Sequence, residues 1–303
     1  MTFSALRTAL ATAVVVPVTP FGEDGAADFT RYAALATRLL DAGITVITPN
    51  GNTGEFYALT GEESRQATEA AIKAAAGRDG VEVLAGVGHD ITTAIAAARH
   101  AQDAGARMIM IHQPVHPYVA REGWVDYNAI IANAVPDLGV VLYIRSERYT
   151  AAHIAALADE APNVIGVKYG LRDATVFAQV ARDAGLDRFT WLAGAAELTA
   201  PSFWAGGARG FTSGLANVAP ALSLTMLDAL RGADFGAAMQ VWEQVRRFEE
   251  LRAADSSADN VAVVKEAMAQ LGLCRADTRA PSRLLPTAIK DEISGILVSW
   301  GMR

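Results

Sequence analysis

The stretch Asn163–Gly170, NVIGVKYG, carries an apolar run into a lysine. Val164, Ile165 and Val167 are β-branched and mark a buried strand, whereas Lys168 bears an amine that normally stays in water. At the end of such a strand, facing a packed interior, the ammonium form is penalised by desolvation. Its pKa falls from about 10.4 toward neutrality, and the free amine can attack a ketone. The competing reading is a buried ion pair with Glu55 or Glu197 as partner. Tyr143, near the end of GVVLYI (139–144), offers a phenol that can move protons to and from a carbinolamine. Alone it reads as a core aromatic with a satisfied hydroxyl; beside Lys168 it completes a pair suited to Schiff-base chemistry. A third feature is NGNTGEF (50–56), where Gly51 and Gly54 flank Asn52 and Thr53. A backbone of that kind can approach a ligand closely and turn its N–H groups toward an anion such as a carboxylate.

Eight apolar runs supply the strands to position these groups: 13–18, 44–49, 81–87, 107–112, 139–144, 163–168, 189–194 and 209–214. Helical patterns fill the intervals, among them 29–43, 62–77 and 93–105, two of which end in Asp-Ala-Gly with Gly43 and Gly105 suited to a left-handed cap. Strands apolar throughout and alternating with helices predict an α/β fold, a (β/α)8 TIM barrel, in which chemistry sits at the C-terminal ends of the strands. Thr19, the segment His112–His116 and Ser213 fall at such ends, as do Tyr143 and Lys168. An open doubly wound sheet is the competing architecture, but no G-x-G-x-x-G follows the first strand. Beyond Pro220 the pattern turns to consecutive amphipathic helices. The first completes the barrel, giving a barrel over 1–230 and a C-terminal helical extension over 231–303.

The chain has 303 residues and a net charge of −7, with no basic run of the length that nucleic-acid binding requires. Its single cysteine, Cys274, forms no intramolecular disulfide and follows Leu271 and Leu273 in a segment that reads as buried. Pro17 and Pro20 interrupt the apolar stretch near the N-terminus, and no run approaches the ~18 residues needed to span a bilayer. The expectation is a cytoplasmic enzyme with no nucleic-acid or membrane partner. His112 and His116 are four apart, but Pro114 and Pro117 oppose a helical face that would join them, so no metal site is expected.

Taken together, VTPF (18–21), GNTGE (51–55), LTGEES (59–64), LAGVG (84–88), VVLY (140–143), VIGVK (164–168) and ANVAP (216–220) resemble the dihydrodipicolinate synthase and N-acetylneuraminate lyase family of Schiff-base aldolases and dehydratases. The resemblance implies that Lys168 forms an imine with a 2-keto acid, that Tyr143 shuttles protons with the Thr53 hydroxyl as relay, and that Gly51, Asn52 and Gly54 frame the carboxylate. It implies a pocket wall of Gly194, Ser213 and Gly214, a substrate-binding Arg148, a homotetramer built as a dimer of dimers, and no cofactor beyond the covalent imine. Departures stand beside the matches. Asn52 replaces the first threonine of the usual G-T-T-G-E, and His116 occupies the place of a tyrosine that reaches into a neighbouring subunit. GNTGEFYALT, Arg145 and GVKYGLRD (166–173) look more like the dehydratase branch acting on keto-deoxy sugar acids such as 5-dehydro-4-deoxyglucarate. The alternatives are 4-hydroxy-tetrahydrodipicolinate synthase and a non-catalytic keto-acid-binding barrel.

Overall fold

The computed structural model describes residues 2–303. Eight parallel strands close on one another in chain order: β1 (Ala13–Val15), β2 (Val46–Ile47), β3 (Glu82–Val87), β4 (Met108–Ile111), β5 (Gly139–Ile144), β6 (Val164–Tyr169), β7 (Thr190–Ala193) and β8 (Gly210–Ser213). The last strand returns to the first, pairing Thr212 with Val14 and Ser213 with Val15. β1 and β2 are shorter than the apolar runs that announced them. Pro17 and Pro49 lack the N–H that a central ladder requires, so the chain leaves the sheet there. Every strand residue is buried, because side chains fill the cylinder inside and helices cover it outside.

One helix crosses from each strand to the next: α2 (Phe29–Asp41), α3 (Gly61–Ala75), α4 (Ile91–Ala104), α5 (Arg121–Asn133), α6 (Ala151–Glu160), α7 (Ala174–Ala184) and α8 (Ala200–Gly206), with α9 (Pro220–Arg231) after β8. Several start on an acceptor matched to an orphan N–H, as Asp90 does for Thr93 and Asp173 for Val176. α3 opens on a full capping box in which Thr60 and Glu63 satisfy each other's backbone. Before β1 lies α1 (Phe3–Leu10), which the strand–helix alternation did not announce. Its Leu6 and Leu10 pack with Val14, Leu84, Met108, Val141, Ile165 and Leu192, closing the end of the barrel opposite the site.

Past α9 come α10 (Phe235–Ser257), α11 (Asn260–Gln270) and α12 (Thr287–Ser299), one helix more than the periodicity revealed. α10 breaks near its end: Ala254 is extended, and Asp255 and Ser256 have φ of 45° and 56°. The break lies across the barrel mouth and turns the chain toward α11. Among the described residues no helix is long and apolar enough to cross a membrane.

Candidate active site

Register brings Tyr143 and Lys168 together. β5 and β6 pair Tyr143 with Lys168, so strand alternation turns both toward the barrel axis. Lys168 is 4% exposed and Tyr143 6%, and Nζ of the lysine lies 4.1 Å from the centre of the phenol ring. Gly170 keeps this geometry open, since a Cβ there would stand 2.9 Å from Cε2 of Tyr143. Neither carboxylate that could have claimed the amine does so. Glu55 pairs with Lys265, and Oε1 of Glu197 accepts from the hydroxyls of Ser213 at 2.6 Å and Ser223 at 2.5 Å. Burial therefore acts on an unpaired amine and draws its pKa down to about 7, with Arg145 and Arg252 pushing the same way. The Tyr143 phenol moves upward through burial, opposed by Arg145.

The turn after β2 is held from several sides. Asn50, at φ 60°, donates its amide to the Ser64 carbonyl at 2.8 Å and the Thr68 hydroxyl at 2.9 Å. The Asn50 carbonyl is bonded to Nε2 of His112 at 2.7 Å. That histidine is stacked on Phe56 and pressed to about 3 by burial, so it is a neutral spacer rather than an acid. Asn52, Thr53 and Gly54 then form a single tight turn, which sends successive side chains different ways. The amide of Asn52, not the hydroxyl of Thr53, reaches the Tyr143 phenol, at 3.4 Å. This corrects the assignment of Thr53 as the relay, although Thr53 does line the cavity. Gly51 and Gly54 do not line it. They lie against the exit of β1, where a Cβ would meet Val16 at 2.5 Å and the Pro17 carbonyl at 2.9 Å. Glu55, left-handed at φ 62°, is anchored by Lys265 of α11 and by the Arg279 amide at 2.8 Å.

These residues open into a cavity of ≈ 720 Å³ at the C-terminal mouth. Gly194, Ser213 and Gly214 form one wall, but the Ser213 hydroxyl is turned outward to Glu197 and to the Ala216 N–H, so the wall is largely backbone. Arg145 and Arg172 also face the cavity. Arg148 does not: the loop beyond β5 turns it away, and its guanidinium donates to the Val119 carbonyl at 2.8 Å. His116 is likewise outside, exposed and receiving the Tyr118 N–H in a local turn at 3.1 Å. The opposite wall comes from the C-terminal helices, with Glu249, Arg252 and Asn260. Periodicity could not single these out, because Glu249 and Arg252 look like an ordinary i,i+3 surface pair. Cys274 is half-buried and its thiol is pushed up to about 11, which keeps it unreactive. Among the described residues no three His, Cys, Asp or Glu side chains gather as metal ligands would.

The sequence model of the dihydrodipicolinate synthetase family matches residues 9–299. A probable 5-dehydro-4-deoxyglucarate dehydratase of Rhodococcus opacus is 33% identical over 221 residues, 72% of this chain and 71% of that protein. Among solved structures, dihydrodipicolinate synthase from Bacillus clausii superposes with a TM-score of 0.93 at 39% identity, covering 98% of this chain and 99% of that one. A prophage protein of the same family from E. coli K12, solved in complex with pyruvate, gives 0.86 at 27% identity, covering 96% and 99%. With its match running from before the first strand into the last helix, and with synthases and dehydratases among its relatives, this chain is a lyase of the dihydrodipicolinate synthetase family.

Proposed function

We propose that the protein forms an imine between Lys168 and a 2-keto acid and removes water from a keto-deoxy sugar acid of the 5-dehydro-4-deoxyglucarate type. The observation that carries this reading is the buried amine, unpaired with any carboxylate and drawn to about 7, set 4.1 Å above the Tyr143 ring at the mouth of the barrel. The neutral amine adds to the keto carbon, and the carbinolamine loses water with the phenol protonating the departing oxygen. Loss of a proton from the next carbon gives an enamine. Expulsion of the hydroxyl one carbon further on, with a proton, yields water and a conjugated iminium. Hydrolysis then frees the unsaturated keto acid and restores the amine. The iminium itself withdraws the electrons, so we assign no metal or organic cofactor.

The substrate carboxylate rests against the backbone around Asn52 and Thr53, while Gly194 and Gly214 leave space along the opposite wall. The pyruvate complex of the E. coli relative and the name of the Rhodococcus relative support this substrate class. A second reading is 4-hydroxy-tetrahydrodipicolinate synthesis, favoured by the Bacillus clausii structure. Two features weigh against it: an amide, that of Asn52, meets the phenol where the usual G-T-T-G-E has its first threonine, and Arg148 is turned out of the cavity. We further assign the protein to the cytoplasm as a homotetramer; exposed Val115 and Tyr118, after β4, are apolar surface that another copy would cover.

The test is borohydride reduction in the presence of pyruvate, read by intact mass and peptide mapping. A reduced adduct on Lys168 is expected, and an unmodified lysine across several 2-keto acids sinks the imine. Assays of sugar-acid dehydration against aspartate-semialdehyde condensation then separate the two readings.

A further inference from the structure

Arg252 is the one guanidinium in the cavity wall that is buried, at 6% exposure, and it comes from α10 rather than from a barrel loop. Its Nη1 donates to Glu249 at 2.5 Å and its Nε to the Asn260 side-chain oxygen at 3.0 Å. Among the described residues its Nη2 has no acceptor, and it lies over Gly214, where a Cβ would be only 2.1 Å away. Glycine at 214 is thus what lets the charged fork reach the cavity floor. Arg172, from the loop after β6, donates to the Ala253 carbonyl at 3.2 Å and the Ser257 hydroxyl at 3.3 Å, tying itself to the break in α10 next to Arg252. Buried charge fixed by two partners with one face left open is a preorganised anion site.

Charge balance points the same way. Arg145, Arg172 and Arg252 face the cavity with Glu249 as the one carboxylate among its lining residues, and the Lys168 ammonium is disfavoured. A keto acid with a single carboxylate at the Asn52–Thr53 turn would leave this wall under-neutralised. We infer that Arg252, positioned by Glu249 and Asn260 and assisted by Arg172, binds a second carboxylate at the far end of the substrate, so that the enzyme selects keto diacids over keto acids ending in an alcohol or methyl. This inference rests on the proposed imine at Lys168 and on the 5-dehydro-4-deoxyglucarate type of substrate, which has a carboxylate at each end, and it adds the residues that hold the distal one.

The test uses a pair of six-carbon probes, 2-oxoadipate and 2-oxohexanoate, which differ only in the distal group. Half-saturating concentrations are read from borohydride trapping at Lys168, with pyruvate as a probe that has no distal end. Wild-type protein is expected to half-saturate with the diacid at about 10- to 100-fold lower concentration, the range for one charge-assisted hydrogen bond. R252Q should erase that preference, bringing the ratio of half-saturating concentrations for the two probes to about one; the ratio is the readout, because Arg252 also pushes on the Lys168 amine and its loss alters trapping of all three keto acids together. Equal affinity for the two probes in the wild type, or a preference retained in R252Q, would each overturn the subsite. If pyruvate is never trapped, the imine reading fails separately. Calorimetry with K168A, which can form no imine, then still decides the subsite by whether 2-oxoadipate binds more tightly than 2-oxohexanoate.

Discussion

Tyr143 and Lys168 stand side by side on β5 and β6, and the amine of one lies over the ring face of the other at 4.1 Å. The contact sets a phenol beside an amine whose charged form burial disfavours.

Because the amine is drawn to about 7, pH controls whether it can attack. Below pH 7 the ammonium dominates and cannot add to a ketone; above it the free amine does. The rate of pyruvate imine formation should rise nearly tenfold per unit between pH 5 and 6.5 and level off above about pH 8. A rate that is flat from pH 6 to 8 would place the amine's pKa elsewhere.

Tyr143→Phe removes the phenol and leaves the ring under Lys168. Turnover should fall by roughly 10²–10⁴-fold, while a slow adduct still forms on Lys168. Full activity in this variant would exclude the phenol as the acid–base group.

Asn52→Ala removes one amide from the phenol oxygen, a neutral contact worth about 0.5–1.5 kcal/mol. A drop in kcat of a few-fold, with the pyruvate concentration for half-trapping little changed, is expected. A loss as large as that of Tyr143→Phe would make Asn52 part of the proton path itself.

Lys168→Met tests the cost of burying the amine. The folded pKa near 7 lies below the ordinary lysine value, so between about pH 7 and 10 the unfolded chain binds a proton that the native state does not. Native stability therefore climbs with pH across that window, and the burial cost is fully present below pH 7. The methionine variant should melt higher than wild type, by more at pH 6.5 than at pH 9.5. Thermal scans at the two pH values check it, and a lower melting temperature at both would show the amine to be stabilising.

Lys265→Met strands Glu55, whose carboxylate is buried among Lys265, the Arg279 amide and the turn after β2. Removing one member of a buried pair typically costs about 3–5 kcal/mol, and removing both together costs much less. Urea denaturation of Lys265→Met against the double variant Glu55→Gln/Lys265→Met should show that recovery. An additive double variant would mean the pair is not coupled.

The barrel and the buried lysine at its mouth were legible because both rest on local signals. A parallel strand covered on both faces is apolar throughout, and a lysine closing such a run stands out against it. What stayed hidden depends on distant parts of the chain or on the direction a loop takes. Glu55 and Lys265 are 210 positions apart, and no periodicity links them. Arg148 sits at the spacing expected of a substrate ligand, yet the loop after β5 aims it at Val119. Thr53 and Asn52 exchanged places at the phenol because a tight turn decides which neighbour points inward. α1 went unseen because it belongs to no strand–helix repeat, and only the barrel end it fills explains its leucines.

The clamp of Lys265 and Arg279 on the turn after β2 also sets an order of events during synthesis. The strands that carry Lys168 and Tyr143 emerge from the ribosome well before α11 does. A nascent barrel can therefore hold Tyr143 and Lys168 in register and still lack the clasp on Glu55. The turn after β2 gains its anchors only once α11 and the segment around Arg279 have been made.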